Sequence, residues 1–126
     1  MAIRISRNRI DLDDKTLQKP TIKDYGETLV TANSGTAYTI DLTAGNAFEI
    51  TLTGNVTFTF SNPPASGTGG SFTLILKQDA TGSRTVTWPS SAKWPNNGTV
   101  PTISSYKYSP TVIGFTTTNG GTTWWG

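Results

Sequence analysis

Phe48-Glu49-Ile50-Thr51-Leu52-Thr53-Gly54-Asn55-Val56-Thr57-Phe58-Thr59-Phe60-Ser61-Asn62-Pro63-Pro64 decides the fold class. Apolar residues alternate with Thr, Glu or Ser on both sides of Gly54-Asn55. A period of two places alternate side chains on opposite faces of a strand. Phe48, Ile50 and Leu52 therefore share one face, and so do Val56, Phe58 and Phe60. Thr on the other face keeps β-propensity without exposing an apolar surface. Gly54-Asn55 reads as the turn of a tight hairpin. Asn62-Pro63-Pro64 ends the second strand, because proline cannot donate to a ladder.

The same pattern extends in both directions. Tyr38, Ile40 and Leu42 alternate upstream; Phe72, Leu74 and Leu76, then Val86 and Trp88, then Ile113 and Phe115 continue it downstream. Ala65 to Gly70, Asp79 to Gly82 and Asn119 to Gly121 separate the strands with turn residues. No βαβ pattern is present. The expectation is an all-β fold, an antiparallel β-sandwich or jelly-roll-like barrel spanning 27–126.

Residues 1–26 differ in kind. The first 28 residues hold 11 of the 18 formal charges, and the remaining 98 hold seven. Ile3 and Ile5 alternate with Arg4, and Ile10 and Leu12 with Asp11, but no period is sustained. Such a segment cannot bury enough apolar surface to offset its ordering entropy. It is read as an extended N-terminal anchoring arm, ordered against a partner; the plainer alternative is a solvated tail. Ile3, Ile5, Ile10 and Leu12 would bury against that partner, and Arg4, Arg7 and Arg9 would pair with its acidic groups. Asp11, Asp13 and Asp14 would repel phosphates, so nucleic acid is not the expected partner.

Composition argues against catalysis. With no Cys and no His, thiolate chemistry, the commonest general base and the commonest metal ligand are missing. Asp41 and Glu49 fall on the Thr-bearing sides of their strands, where a solvated surface is the default; a glycosidase needs two carboxylates facing one cleft. No catalytic residue, metal site or cofactor is expected. No apolar run approaches the ~20 residues that span a bilayer, and no signal peptide follows the basic N-terminus, so no membrane partner is expected.

The tryptophans carry the most specific local signal. Trp88-Pro89 and Trp94-Pro95 restrict each Trp to an extended backbone, and the chain closes on Trp124-Trp125. If that end is a strand, one of the two is buried and the other exposed. Trp94, Trp125, Tyr106 and Tyr108 form a candidate aromatic patch for a ligand or partner, because aromatic faces stack on sugar rings or protein. The competing reading puts Trp88 and one terminal Trp in the core, with Trp94 packed on the Trp-Pro loop.

The stretch from about Thr21 to Gly126 resembles a β-domain of tailed-phage and prophage virion proteins, of the tail-fibre-tip or capsid-decoration type. Tyr25-Gly26-Glu27-Thr28, Asn55 to Pro64, Gly70 to Leu76, Thr85 to Pro89, Lys93-Trp94-Pro95, Phe115 and Gly120 to Trp124 carry the resemblance. It implies a virion structural protein, assembled in the host cytoplasm, and it brings no catalytic residues. A body behind a charged arm, without a repetitive shaft, suits a capsid decoration or cement protein bound to the major capsid protein or another virion protein. It would act as a homotrimer or dimer. The alternative is a tail-fibre or tail-associated adhesin that binds host surface glycan.

Overall fold

The computed structural model describes residues 3–126. The fold is all-β, as the alternation requires. Three strand pairs follow one another along the chain: β3 (Leu29–Asn33) and β4 (Ala37–Asp41), β5 (Ala47–Leu52) and β6 (Val56–Ser61), β7 (Gly70–Gln78) and β8 (Val86–Thr87). The first member of each pair enters a larger sheet and the second a smaller one. The body is thus three coils of a two-sheet solenoid. β9 (Ala92–Lys93), β10 (Pro110–Thr117) and β11 (Trp124–Trp125) complete the larger sheet, in the order β3-β5-β7-β10-β11-β9; the smaller is β4-β6-β8.

Strand direction corrects the antiparallel expectation. β3 with β5, β5 with β7, β4 with β6, β6 with β8 and β9 with β11 are all parallel. In the body only β7 with β10 and β10 with β11 are antiparallel. Period two fixes which face a side chain takes, and says nothing about the neighbour's direction. Parallel neighbours need a long crossover; here residues 34–46, with β4 among them, form the crossover from β3 to β5.

Gly54-Asn55 is accordingly a corner between sheets and not a hairpin turn. The corners stack one upon the next. The Gly35 N–H donates to Thr53 Oγ1 at 3.0 Å, and the Thr53 N–H donates to Ser34 Oγ at 3.2 Å. A Cβ at Gly54 would lie 3.0 Å from the Gly35 carbonyl oxygen, so the stack itself selects glycine there.

Between the sheets lies one core. Phe48, Ile50, Leu52, Phe72, Leu74, Leu76, Phe115 and Trp124 from the larger sheet meet Ile40, Val56 and Phe58 from the smaller. Phe72 stacks on Phe115 with centroids 5.1 Å apart, and meets Phe60 and Trp124 edge-on at 5.1 and 5.2 Å. Three buried polar residues, Ser34, Gln78 and Thr117, interrupt the apolar set. Each finds partners: Thr117 Oγ1, for instance, donates to the Thr123 carbonyl at 2.7 Å and accepts the Gly121 N–H at 3.1 Å.

The extended-arm expectation is also corrected for its first third. β1 (Arg4–Ser6) and β2 (Arg9–Asp11) form a separate hairpin, pairing Ile5 with Ile10. A two-residue connection, Arg7-Asn8, allows an antiparallel return that the charge pattern does not advertise. Residues 12–28 form neither helix nor strand, and 13–28 are exposed. Met1 and Ala2 of the expected arm lie outside the described residues.

Candidate functional site

Trp88-Pro89 and Trp94-Pro95 bracket β9 at the β8 end of the smaller sheet. Pro ends each short strand, and the chain then makes an unusual turn. Asn96, Asn97 and Gly98 follow Pro95 with three consecutive positive φ values of 53°, 59° and 85°. Asn and Gly are the residues that enter this region at least cost. The turn closes on Thr99, whose hydroxyl donates to the Asn96 carbonyl at 2.8 Å. Asn96 and Asn97 are exposed.

Trp94 is half-buried beneath this turn. It packs edge-on against Trp88 at 5.3 Å and Phe115 at 5.4 Å. On another side lies the backbone of Gly126, where a Cβ would fall on the indole ring. The Gly126 N–H donates to the Lys93 carbonyl at 3.0 Å, which ties the last residue to the Trp94 strand.

Two open grooves flank Trp94, and the indole lines both. The first, about 730 Å³, runs along Trp88, Pro89, Lys93, Asn97 and Val100. The second, about 430 Å³, lies between Pro95, Thr99 and Pro101 on one wall and Val112 on β10 on the other. Its floor is Gly114, where a Cβ would meet nothing within 4 Å. The combination is apolar walls, one aromatic partition and a few polar groups at the rim. Such surfaces suit a ligand with apolar faces and many hydroxyls.

Of the four residues of the sequence-derived aromatic patch, the structure brings two near each other. Trp125 is 47% exposed and pairs in register with Lys93, next to Trp94, while Trp124 is buried at 1%. Trp94 packs inward and Trp125 faces outward, so they occupy opposite faces of the sheet edge. Tyr106 and Tyr108 are exposed on the turn before β10. That turn adjoins Pro110, whereas Trp125 pairs with Thr116, six residues further along β10. At strand rise this is about 20 Å, so the tyrosines are not part of the Trp94 site. Sequence reasoning missed Asn96, Asn97 and Gly114. Consecutive Asn residues before Gly were the available signal for the first two.

The arm residues are displayed and unburied. Ile3, Arg4, Ile5, Arg7, Arg9 and Ile10 are exposed, and Leu12 is half-buried. Arg9 approaches Asp11 at 3.9 Å. At such exposure this pair is worth little.

The body's carboxylates are held in structural bonds. Asp41 accepts from Asn62 Nδ2 at 2.9 Å and from Thr43, and these hydrogen bonds lower its pKa. Asp79 accepts Arg84 Nε and Nη2 and the N–H groups of Thr81 and Gly82. The Arg84 guanidinium is the main reason its carboxyl sits below the ordinary value. Glu49 pairs with Lys77. Asp41 belongs to the smaller sheet and Glu49 to the larger, so they do not form a facing pair.

A family described as "Putative phage tail fibre C-terminal domain" matches residues 35–106, more than half of the chain. The matched span runs from the first corner through β4 to β9 and includes the whole Trp88–Pro101 region. Neither a curated protein nor a solved structure matches the chain.

Proposed function

Because the chain belongs to the phage tail fibre C-terminal domain family, and is thereby a structural component of a phage virion, we propose that it is a host-facing tail-fibre module that binds surface glycan at Trp94. The observation that carries this reading is the pair of grooves sharing the Trp94 indole, inside the span that the family match covers. C–H faces of sugar rings would pack on the indole and prolines. Hydroxyls would bond the Asn96 and Asn97 amides and Lys93. The family is a structural one, in keeping with a role in binding.

This reading replaces the capsid-decoration expectation as the favoured one, since a tail-fibre family supports the fibre end of the particle over the head. The exposed arm then serves as attachment to the rest of the fibre. Its isoleucines and arginines keep the role of partner contacts, with a virion protein other than the capsid lattice as the partner.

An array of bacterial surface polysaccharides tests the site with two substitutions. Gly114→Val should occupy the floor of the second groove while improving β-propensity, so the protein stays folded. Trp94→Ala removes the aromatic partition. Each should weaken binding at least about tenfold, the loss of roughly 1.4 kcal/mol. Undiminished glycan binding by both folded variants would overturn the assignment.

A further inference from the structure

The two ends of the solenoid are finished differently. At one end the edge strands are β8 and β9, each two residues long and each stopped by a Trp-Pro step; β9 carries Lys93. Short length, proline and lysine are the devices that keep an edge from pairing. At the other end the edge strands are β3 and β4, five residues each: Leu-Val-Thr-Ala-Asn and Ala-Tyr-Thr-Ile-Asp. Neither has a proline or a lysine, and Asp41, the last residue, is the sole charge.

Which groups point outward follows from the ladders. The Ser34 N–H donates to the Thr51 carbonyl, and the Thr28 carbonyl accepts from Ala47. Even-numbered residues of β3 thus face β5, and Leu29, Thr31 and Asn33 present their N–H and C=O groups to the open side. In β4 the Thr36 carbonyl accepts from Thr57 and the Leu42 N–H donates to Ser61. Ala37, Thr39 and Asp41 are then the outward set. The side chains stacked at this end, Val30, Ala32 and Tyr38, are only partly buried, and Leu29 is 52% exposed.

The chain's own leader is a poor cover. β3 precedes its partner in β5 by 18 residues, and β4 precedes its partner in β6 by 20. One coil further upstream, the sites over Val30 and Ala32 would receive Leu12 and Asp14. Those over Tyr38 and Ile40 would receive Gln18 and Pro20. Three of these four are unsuited to an inward position.

We propose that the open coil end is covered by a second copy of this chain, its β3 and β4 pairing antiparallel with the same strands across a two-fold axis. Thr31 and Thr39 each lie four residues from Gly35, the middle of the corner that joins the two strands. They are therefore level across the sandwich, and one axis passes through both. Centred there, Val30 meets the partner's Ala32 and Tyr38 meets the partner's Ile40, inward to inward. Leu29 meets Asn33, and Asp41 meets Ala37, so no like charges oppose. The outward groups of both strands then form about twelve new ladder bonds. A same-patch interface closes at two copies and leaves no growing edge. This does not depend on the glycan reading.

Sedimentation of the full chain should give twice the 13.5 kDa chain mass. Thr31→Pro with Thr39→Pro removes two outward N–H groups without touching the β3–β5 and β4–β6 ladders, and should give the single-chain mass with unchanged circular dichroism. A cross-link reports the same contact independently of the proline variant's folding. The chain has no cysteine, so Thr31→Cys should form an intermolecular disulfide under mild oxidation, since directly opposed strand residues lie within its reach. Thr87→Cys on the guarded edge should not. A single-chain or three-chain mass for the unaltered protein, or equal cross-linking at 31 and 87, would overturn the proposal.

Discussion

Phe72→Ala should lower the free energy of unfolding by about 4 kcal/mol, the range for removing a large aromatic side chain from a packed core. Phe72 is 3% exposed on β7, the strand between β5 and β10. Its ring touches Phe48, Phe60, Phe115 and Trp124, with centroids from 5.1 to 5.8 Å. Those four come from β5, β6, β10 and β11, so a cavity here loosens both sheets at once. The neighbours are large rings held by their own strands and cannot collapse inward to fill it. For a chain of this size the melting midpoint should fall by roughly 10–20 °C. Phe72→Leu, which keeps most of the volume, should lose less than half as much. Urea unfolding of the two variants checks this, and a loss below about 1 kcal/mol for Ala would mean that Phe72 is not the core's centre.

Gln78→Leu should cost about 3 kcal/mol by a different route. Gln78 is 3% exposed at the end of β7. Its Nε2 donates to the Arg84 carbonyl at 3.0 Å and the Ser104 carbonyl at 2.8 Å, and its Oε1 accepts the Arg84 N–H at 2.9 Å. Leucine fills the space and satisfies none of the three backbone groups. An unpaired buried polar group costs about 1–3 kcal/mol, and partial access to water reduces the sum. The damage should be local. Amide exchange should quicken at Arg84 and through residues 103–109, while the β5 and β7 amides keep their protection. A uniform loss of protection across both sheets would contradict this assignment.

These two residues also mark what could be read from sequence. Phe72, Leu74 and Leu76 announce an inward face, and Gln78 continues the same alternation by two residues. Its amide hides the fact that the face is still buried there. Trp124 and Trp125 fall on opposite faces as a terminal strand requires, and Trp88 packs with the core. Strand direction was not legible, because Phe48-Glu49-Ile50 looks the same beside a parallel or an antiparallel neighbour. The repeat was legible in principle, since Leu29, Ala47 and Thr73 are register partners across three coils. The long connection at 62–69 obscures its period. The Trp94 site was half legible. Trp-Pro flags the strand end, but Gly114 sits on a strand distant in sequence, and only the fold places it under the Pro95–Pro101 wall. The arm's charges read as separate from the body, whereas the Ile5–Ile10 hairpin depends on a turn at Arg7-Asn8 that carries no glycine.

Where the protein sits on the particle tests the account most directly. Immunogold labelling of intact virions with antibody to residues 27–126 should place gold at the far ends of tail fibres, clear of the head. Gold spread over the capsid shell would contradict the tail-fibre reading and return the arm to a lattice contact.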